Sequence, residues 1–562
     1  MSHTQLRHLL AVILFFYATL VNAQPTPVAK QGMVVSEQVI ASQIGVDIMR
    51  AGGNAIDAAV AVGYALAVID PCCGNIGGGG FMLIHLADGK NVFINFREKA
   101  PLHANAHLFD HATIPALPPP DDTSARGYIT VAVPGTVLGL DTALQTYGTM
   151  TRQQVMAPAI QLAKQGVIIT AYEAERYKRY TDTFRQQPNV AAIFMKNGKP
   201  LAIGDRLIQT DLAQTLTLIA NKGSSAFYQN SVAKAIVAAS EAHGGVLSLK
   251  DFTDYTVETL TPIICDYHGY TIITSPPPGS GIVLCEMLNI LENFQLSPHS
   301  YYSTEDIRVL TETMRYGFID RNNKLGDPDF MRNPTTELLS KDYAASLSKK
   351  IKTQHIAPAP AVFPYEENVN TTHYSVMDKQ GNAVSVTYTL NGFFGARVIA
   401  GSTGFFLNDE IDDFATQPNQ ISRAGILNYD LNAIQPGRRP LSSMTPTIVM
   451  KNSEPVFVLG SPGGPRIITT LFLALVNLID YKMDLQQAID APRFHFQYTS
   501  NTLSLEPYAL PTRTMKQLQQ IGYVTNTETF LWGAVAAIQI EDDGTLIGAM
   551  DKRRPDGGAV GY

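Results

Sequence analysis

The chain has 562 residues, 45% of them hydrophobic, enough to bury a large core in more than one layer of structure. A formal net charge of −7 leaves no basic excess to neutralise phosphates, which argues against a nucleic-acid partner. Four cysteines in so long a chain do not make a disulfide scaffold.

The first element is an address. Arg7 and His8 precede the apolar run Leu9 to Leu20, and Val21-Asn22-Ala23 is a small-residue cleavage site before Gln24. The run is short for a bilayer span, so residues 1–23 read as a removable secretory signal, with an uncleaved anchor as the alternative. Ala41 to Ala51 carries apolar residues at helical spacing and stops at Gly52-Gly53. A second helix, Ile56 to Val68, is apolar nearly all round and is expected to be buried.

Cys72 and Cys73 are adjacent, and a mutual bridge would need strained local geometry. The glycine run Gly74 to Gly80 precedes a strand, whereas dinucleotide fingerprints open a helix, so no nucleotide loop is expected. Phe81–Leu86 and Val92–Phe96 form a hairpin that ends at Arg97-Glu98. His103, His107 and His111 lie in a Pro/Ala/Asp-rich stretch and read as solvated rather than metal-binding; no metal is expected.

The middle third, from about Val137 to Lys352, reads mainly helical, with amphipathic runs at Gln153–Gln165, Gln209–Asn221 and Glu305–Arg321. A Ser-Pro-Pro-Pro-Gly-Ser-Gly segment introduces the helix Ile282–Leu291. Cys265 and Cys285 flank an apparent strand and a helix, and whether they pair stays open. Thr353 to Asn368 is rich in Pro, Ala and Glu without periodicity, as an exposed and cuttable linker should be.

Beyond Thr371 short strands dominate: Tyr374–Asp378, Ala383–Leu390, Gly404–Leu407, Thr447–Met450 and Val456–Leu459. Helices at Pro465–Asn477 and Leu485–Ala491 follow, then strands at Ala534–Ile540 and Thr545–Asp551. Strand hairpins at both ends with helices between and after suggest an α+β fold, two central antiparallel sheets covered by helices.

One constellation carries chemistry. Asn370-Thr371-Thr372-His373-Tyr374-Ser375 opens a hairpin, followed in order by Glu410-Ile411-Asp412-Asp413-Phe414, Arg439 through Pro446, and Gly460-Ser461-Pro462-Gly463-Gly464. Together these resemble the γ-glutamyltranspeptidases, and the resemblance runs from Gln31 to Tyr562. It implies the αββα sandwich of N-terminal-nucleophile hydrolases and a precursor that cuts itself before Thr371. Residues 24–370 would then be a large subunit and 371–562 a small one, intertwined in a single fold. It further implies a γ-glutamyltransferase and glutathione hydrolase that passes the γ-glutamyl group to water or to an amino-acid or dipeptide acceptor, and the cleavable signal would send it to the periplasm or beyond.

The chemistry agrees with the residues. A Thr hydroxyl needs a neighbouring base, and an N-terminal Thr supplies its own α-amine, whose unperturbed pKa of about 7.7–8.0 lies near working pH. No cofactor is required. Thr372 rivals Thr371 by adjacency, but strand alternation puts the two on opposite faces, and the family motif favours the first.

The resemblance assigns Thr389 to hold the nucleophile, Arg97, Ser442 and Ser443 to the donor carboxylate, and Glu410, Asp413 and Asn391 to its ammonium. Gly463 and Gly464 would turn backbone N–H groups toward the oxyanion. Between Asp413 and Pro440 an aromatic gate is expected from the family, yet Ala424 stands at that place, with Tyr429 a few residues on. An acylase of the cephalosporin type, or a secreted protein that binds γ-glutamyl compounds without turning them over, are the alternatives.

Overall fold

The computed structural model describes residues 26–109, 126–296, 301–353, 369–415, 430–497 and 501–562. The secretory segment, His111, nearly all of the linker, and Ala424 and Tyr429 lie outside the described residues.

Two seven-stranded sheets form the centre. The first contains β1 (Gly32–Ser36), β2 (Gly79–His85), β3 (Asn91–Phe96), β4 (Glu258–Leu260), β5 (Val369–Asp378), β6 (Ala383–Gly392) and β7 (Gly558–Gly561). Their spatial order is β7-β1-β5-β6-β2-β3-β4, antiparallel throughout. The second sheet runs, edge to edge, through Val28–Ala29, Leu546–Met550, Ala536–Ile540, Glu454–Gly460, Thr447–Lys451, Tyr270–Thr274 and Ile263–Tyr267. Both sheets combine strands from before and after Asn370, so neither part of the chain owns a sheet.

Period-2 alternation sorts the side chains of the central hairpin. Val384, Val386, Tyr388 and Leu390 of β6 join the apolar cluster under the outer helices, and the Tyr388 hydroxyl donates to the Gly63 carbonyl 2.9 Å away. The alternate residues face the second sheet, and from Ser385 to Asn391 they are polar. Ser375 donates to the Ala536 carbonyl at 3.0 Å and Ser385 to the Leu459 carbonyl at 3.1 Å. Buried hydroxyls persist here because each finds a carbonyl on the facing sheet.

Helix α1 (Val39–Arg50) and the wholly buried α2 (Ala55–Ile69) cover the first sheet, α2 starting at a capping box made by Asn54 and Asp57. On the far side α3 (Gly281–Leu291), α4 (Thr304–Lys324) and α5 (Arg466–Ile479) pack over the second sheet. The layers are therefore helix, sheet, sheet, helix, as expected. Among the described residues no helix is long and apolar enough to cross a membrane.

Some local readings need correction. The mostly helical middle third also contains the hairpin Ile263–Thr274, turned at His268 and Gly269 with φ of 48° and 81°. Gly404–Leu407 is not a strand; it offers one isolated bridge, Ile399 to Phe406, because Phe405 and Phe406 are spent on an aromatic cluster with Phe184, Phe194 and Phe227. Cys265 and Cys285 are joined, tying the edge strand to α3, and Cys72 is joined to Cys73. His103 and His107 are exposed.

The glycine run after Cys73 has a packing cause. A Cβ on Gly78 would lie 1.8 Å from the Thr389 carbonyl, and one on Gly77 2.0 Å from that of Phe406. Only a chain without side chains lets that segment press against the end of β6.

Candidate active site

One cleft gathers Thr371, Thr389, Asn391, Arg97, Glu410, Asp413, Ser442, Ser443 and Gly464, together with Leu441, Met444, Pro465 and Ile467. Segments separated by hundreds of residues meet there.

Its threonine end is made by strand register. Thr371 on β5 sits directly opposite Thr389 on β6, and its hydroxyl donates to that of Thr389 at 3.3 Å. The Asn391 N–H donates to Thr389 Oγ1 at 2.8 Å, which fixes the second hydroxyl from below. Thr372 points to the opposite face, where its methyl would meet a Cβ on Gly74 at 2.3 Å. The chain is continuous here, and the Asn370–Thr371 peptide lies where the ladder slips: Val369 pairs with Gly392, Thr371 with Thr389. Asn391 absorbs the slip at φ 75°, an unusual value that Asn tolerates better than most residues.

One rung further in, His373 Nδ1 lies 2.8 Å from Thr387 Oγ1 and Nε2 3.2 Å from Ser375 Oγ. Burial pulls its pKa down to about 3, so the imidazole stays neutral and is a poor proton acceptor. A histidine base next to the nucleophile is thereby disfavoured.

The other end is charged. Arg97 follows β3, is 1% exposed, and has its carbonyl held by the Tyr255 hydroxyl at 2.8 Å. Its guanidinium touches Glu98 at 3.4 Å and closes on Glu410 and Asp413, which the 3₁₀ turn Glu410–Asp413 presents side by side. Burial works against the Arg97 charge, but the surrounding carboxyls more than offset it and raise its pKa. Burial raises Glu98 to about 7 and Glu410 well above the usual carboxylate range, against the opposing pull of Arg97. One guanidinium thus faces three carboxyl groups. A ligand ammonium would redress that imbalance.

Sequence reasoning put Arg97 on a substrate carboxylate and the acids on an ammonium; in the structure these groups pair with each other. Asn391 lines the cleft and donates its side-chain amide to the Asp409 carbonyl at 3.2 Å. Ser442 is anchored by its N–H to the Pro278 carbonyl at 2.7 Å. Gly463 and Gly464 have φ of 130° and 53° at the mouth of α5; Gly464 lines the cleft, while Gly463 packs toward Gly533. Glu98 was passed over as a site residue although it adjoins Arg97. Its signal was an acid at the buried end of a strand.

Asp70, Cys72 and Cys73 form the one group among the described residues close enough to share an ion. The sulfurs are joined to each other, and Arg176 sits 2.6 Å from Asp70, where a cation would have to be.

The family model described as Gamma-glutamyltranspeptidase matches residues 41–561. The chain is 46% identical over 558 residues to the glutathione hydrolase proenzyme of Pseudomonas sp. (strain A14), covering 96% of each. It is 42% identical over 543 residues to the glutathione hydrolase proenzyme of Escherichia coli (strain K12), covering 95% of this chain and 92% of that one. Among solved structures, cephalosporin acylase from Bacillus halodurans is similar with a TM-score of 0.86 at 28% identity, over 97% of this chain and 98% of that one.

Proposed function

The chain belongs to the γ-glutamyltranspeptidase family, enzymes that transfer or hydrolyse γ-glutamyl groups with an N-terminal threonine, and from that premise we propose that Thr371 is the nucleophile. The observation that carries this reading is the opposed orientation of neighbours: Thr371 faces the cleft and Thr389, while Thr372 is packed beneath Gly74.

In maturation the Thr371 hydroxyl attacks the Asn370 carbonyl and forms an ester as the peptide C–N bond breaks. That step frees the α-amine of Thr371, and water then opens the ester, releasing the Thr371 hydroxyl and the carboxylate of Asn370. Residues 24–370 and 371–562 become the two subunits, and residues 1–23 are lost on export from the cytoplasm. The new amine takes the hydroxyl proton as Thr371 Oγ1 attacks the γ-carbonyl of glutathione or another γ-glutamyl donor. Gly463 and Gly464 present N–H groups to the oxyanion, and the leaving amine takes the proton back. Water or an acceptor amine then attacks the γ-glutamyl ester.

The donor's α-ammonium enters among Glu410, Asp413 and Asn391, and its α-carboxylate lies against Arg97, Ser442 and Ser443. Insertion of a zwitterion loosens the Arg97–Glu410 and Arg97–Asp413 pairs and gives each ion a new partner. The likeness to an acylase favours a second reading, in which the pocket takes another acyl group; the ring of ions around Arg97 supports a free amino acid instead.

Purified protein decides between these readings. An SDS gel should show two pieces, with the smaller beginning at Thr371 on N-terminal sequencing. Incubation with glutathione should release glutamate, and a dipeptide acceptor should divert part of it into a γ-glutamyl peptide. A single full-length chain, or turnover of a cephalosporin side chain without turnover of glutathione, would reject it.

A further inference from the structure

We propose that Arg321, behind the cleft wall, is a positioning residue that sets the Ser443 hydroxyl as a donor toward the substrate α-carboxylate and, through Ser280, holds Ser442 in place beside it. The inference rests on the reading of those serines as the carboxylate end. Arg321 lies on α4 and is fully buried at 0% exposure. Its Nη2 donates to Ser443 Oγ at 3.0 Å and its Nε to Ser280 Oγ at 3.0 Å, with Nη1 on the Asn322 side chain at 3.2 Å.

A guanidinium has donors only, so any hydroxyl it touches must accept from it and spend its own proton elsewhere. Ser280 spends that proton on the Ser442 carbonyl, 2.5 Å away. Ser443, having accepted from Arg321, turns its proton toward the cleft it lines. Ser442 Oγ accepts the Met444 N–H at 3.2 Å, which leaves its O–H as a donor too.

A serine hydroxyl is ordinarily ambiguous, rotating to give or to receive. Arg321 removes the ambiguity at Ser443, and through Ser280 it holds the backbone from which the Ser442 hydroxyl projects. Two donors fixed in this way suit an anion and repel nothing in it.

The charge argument points the same way. The Arg97 guanidinium is already shared among Glu98, Glu410 and Asp413, so the carboxylate gains from donors on its other side. Arg321 places a second guanidinium on the serine side. Recognition of the carboxylate is then shared between a cation at the surface of the cleft and one behind its wall.

The test compares L-γ-glutamyl-4-nitroanilide with its α-carboxamide counterpart, on wild type, Arg321→Met, Arg321→Lys and Ser280→Ala. Wild type should prefer the carboxylate donor. Arg321→Met, still self-cleaved on a gel, should raise KM for that donor by roughly tenfold or more with kcat changed less than about threefold. The preference for carboxylate over carboxamide should fall by a similar factor, and Arg321→Lys should recover part of it.

Equal losses on both donors, or an unchanged preference, would overturn the role of Arg321. If Arg321→Met does not fold, Ser280→Ala decides: a reduced preference supports the relay and an unchanged one overturns it. A wild type indifferent to the carboxamide would instead sink the reading of the serine end itself, and the proposal with it.

Discussion

The two ends of the cleft are built by different physics. The threonine end consists of neutral hydroxyls placed by backbone register, two residues opposite each other on adjacent strands at the centre of a sheet. The charged end is assembled from the tail of β3, a 3₁₀ turn and a loop, and is held by ion pairs that cost solvation to bury. Reactivity is thus set by local geometry that is hard to shift. Recognition is set by a balance of buried charge that a ligand, a proton or one substitution can tip.

The largest effect should come from breaking the threonine end. Thr371→Ala should give an uncut chain with no turnover above the enzyme-free rate, read on an SDS gel and with glutathione. A cut or active variant would move the nucleophile elsewhere. Next is the charged end, where Arg97→Lys replaces a fork with a point charge. It should cost about 2 kcal/mol or more in kcat/KM for the donor while self-cleavage proceeds, since maturation uses no substrate. Unchanged donor kinetics would take Arg97 out of the site.

A third experiment sharpens the contrast through pH. Burial raises the folded-state pKa of Glu98 to about 7 from an ordinary 4.5, so the folded protein holds a proton that the unfolded chain has released. The stability from that proton is fully present below pH 4.5 and is lost as pH rises through about 7. Thermal melts of the ligand-free protein should therefore show Tm falling across that window. Glu98→Gln should flatten the fall, and an equal slope in the variant would mean that other groups set it.

The smallest effect belongs to the neighbour that is not used. Thr372 Oγ1 is buried without a partner among the described residues, so Thr372→Val removes an unsatisfied hydroxyl at constant shape. Stability should change by less than about 1 kcal/mol, and cleavage and donor kinetics should stay near wild type. A large loss would place Thr372 in the chemistry and erase the distinction between the two faces of β5.

The threonine end was the more legible in sequence because its signal is local. Alternation along Thr371–Ser375 and Ala383–Asn391 states which side chains share a face, and a short turn fixes the pairing. The alternating faces of β6 follow from that pattern alone. The charged end was legible only as an ordered set of motifs, and its internal pairing was not. Nothing along the chain says that Arg97 closes on Glu410 and Asp413, since that depends on desolvation at a place where distant loops meet. Strands such as Gly32–Ser36 and Gly558–Gly561 were missed for a related reason: each is short, and each is a strand only because distant segments lie beside it. Gly404–Leu407 erred in the opposite direction, its aromatics serving a cluster rather than a ladder.

The interleaving of strands from before and after Asn370 has a consequence for recovery from damage. An uncut chain that unfolds keeps all fourteen strands on one tether, and its return is a first-order event that does not depend on how much protein is present. Once cut at Thr371, the same collapse sets two molecules adrift. Rebuilding either sheet then requires them to meet, at a rate that falls with dilution and competes with aggregation. Cleavage would leave the native architecture in place while making its loss hard to reverse, so the mature enzyme must endure through slow unfolding. The precursor can rely on refolding. Dilution after denaturation, with Thr371→Ala and wild type side by side, would make that asymmetry visible as a recovery that depends on concentration for one and not for the other.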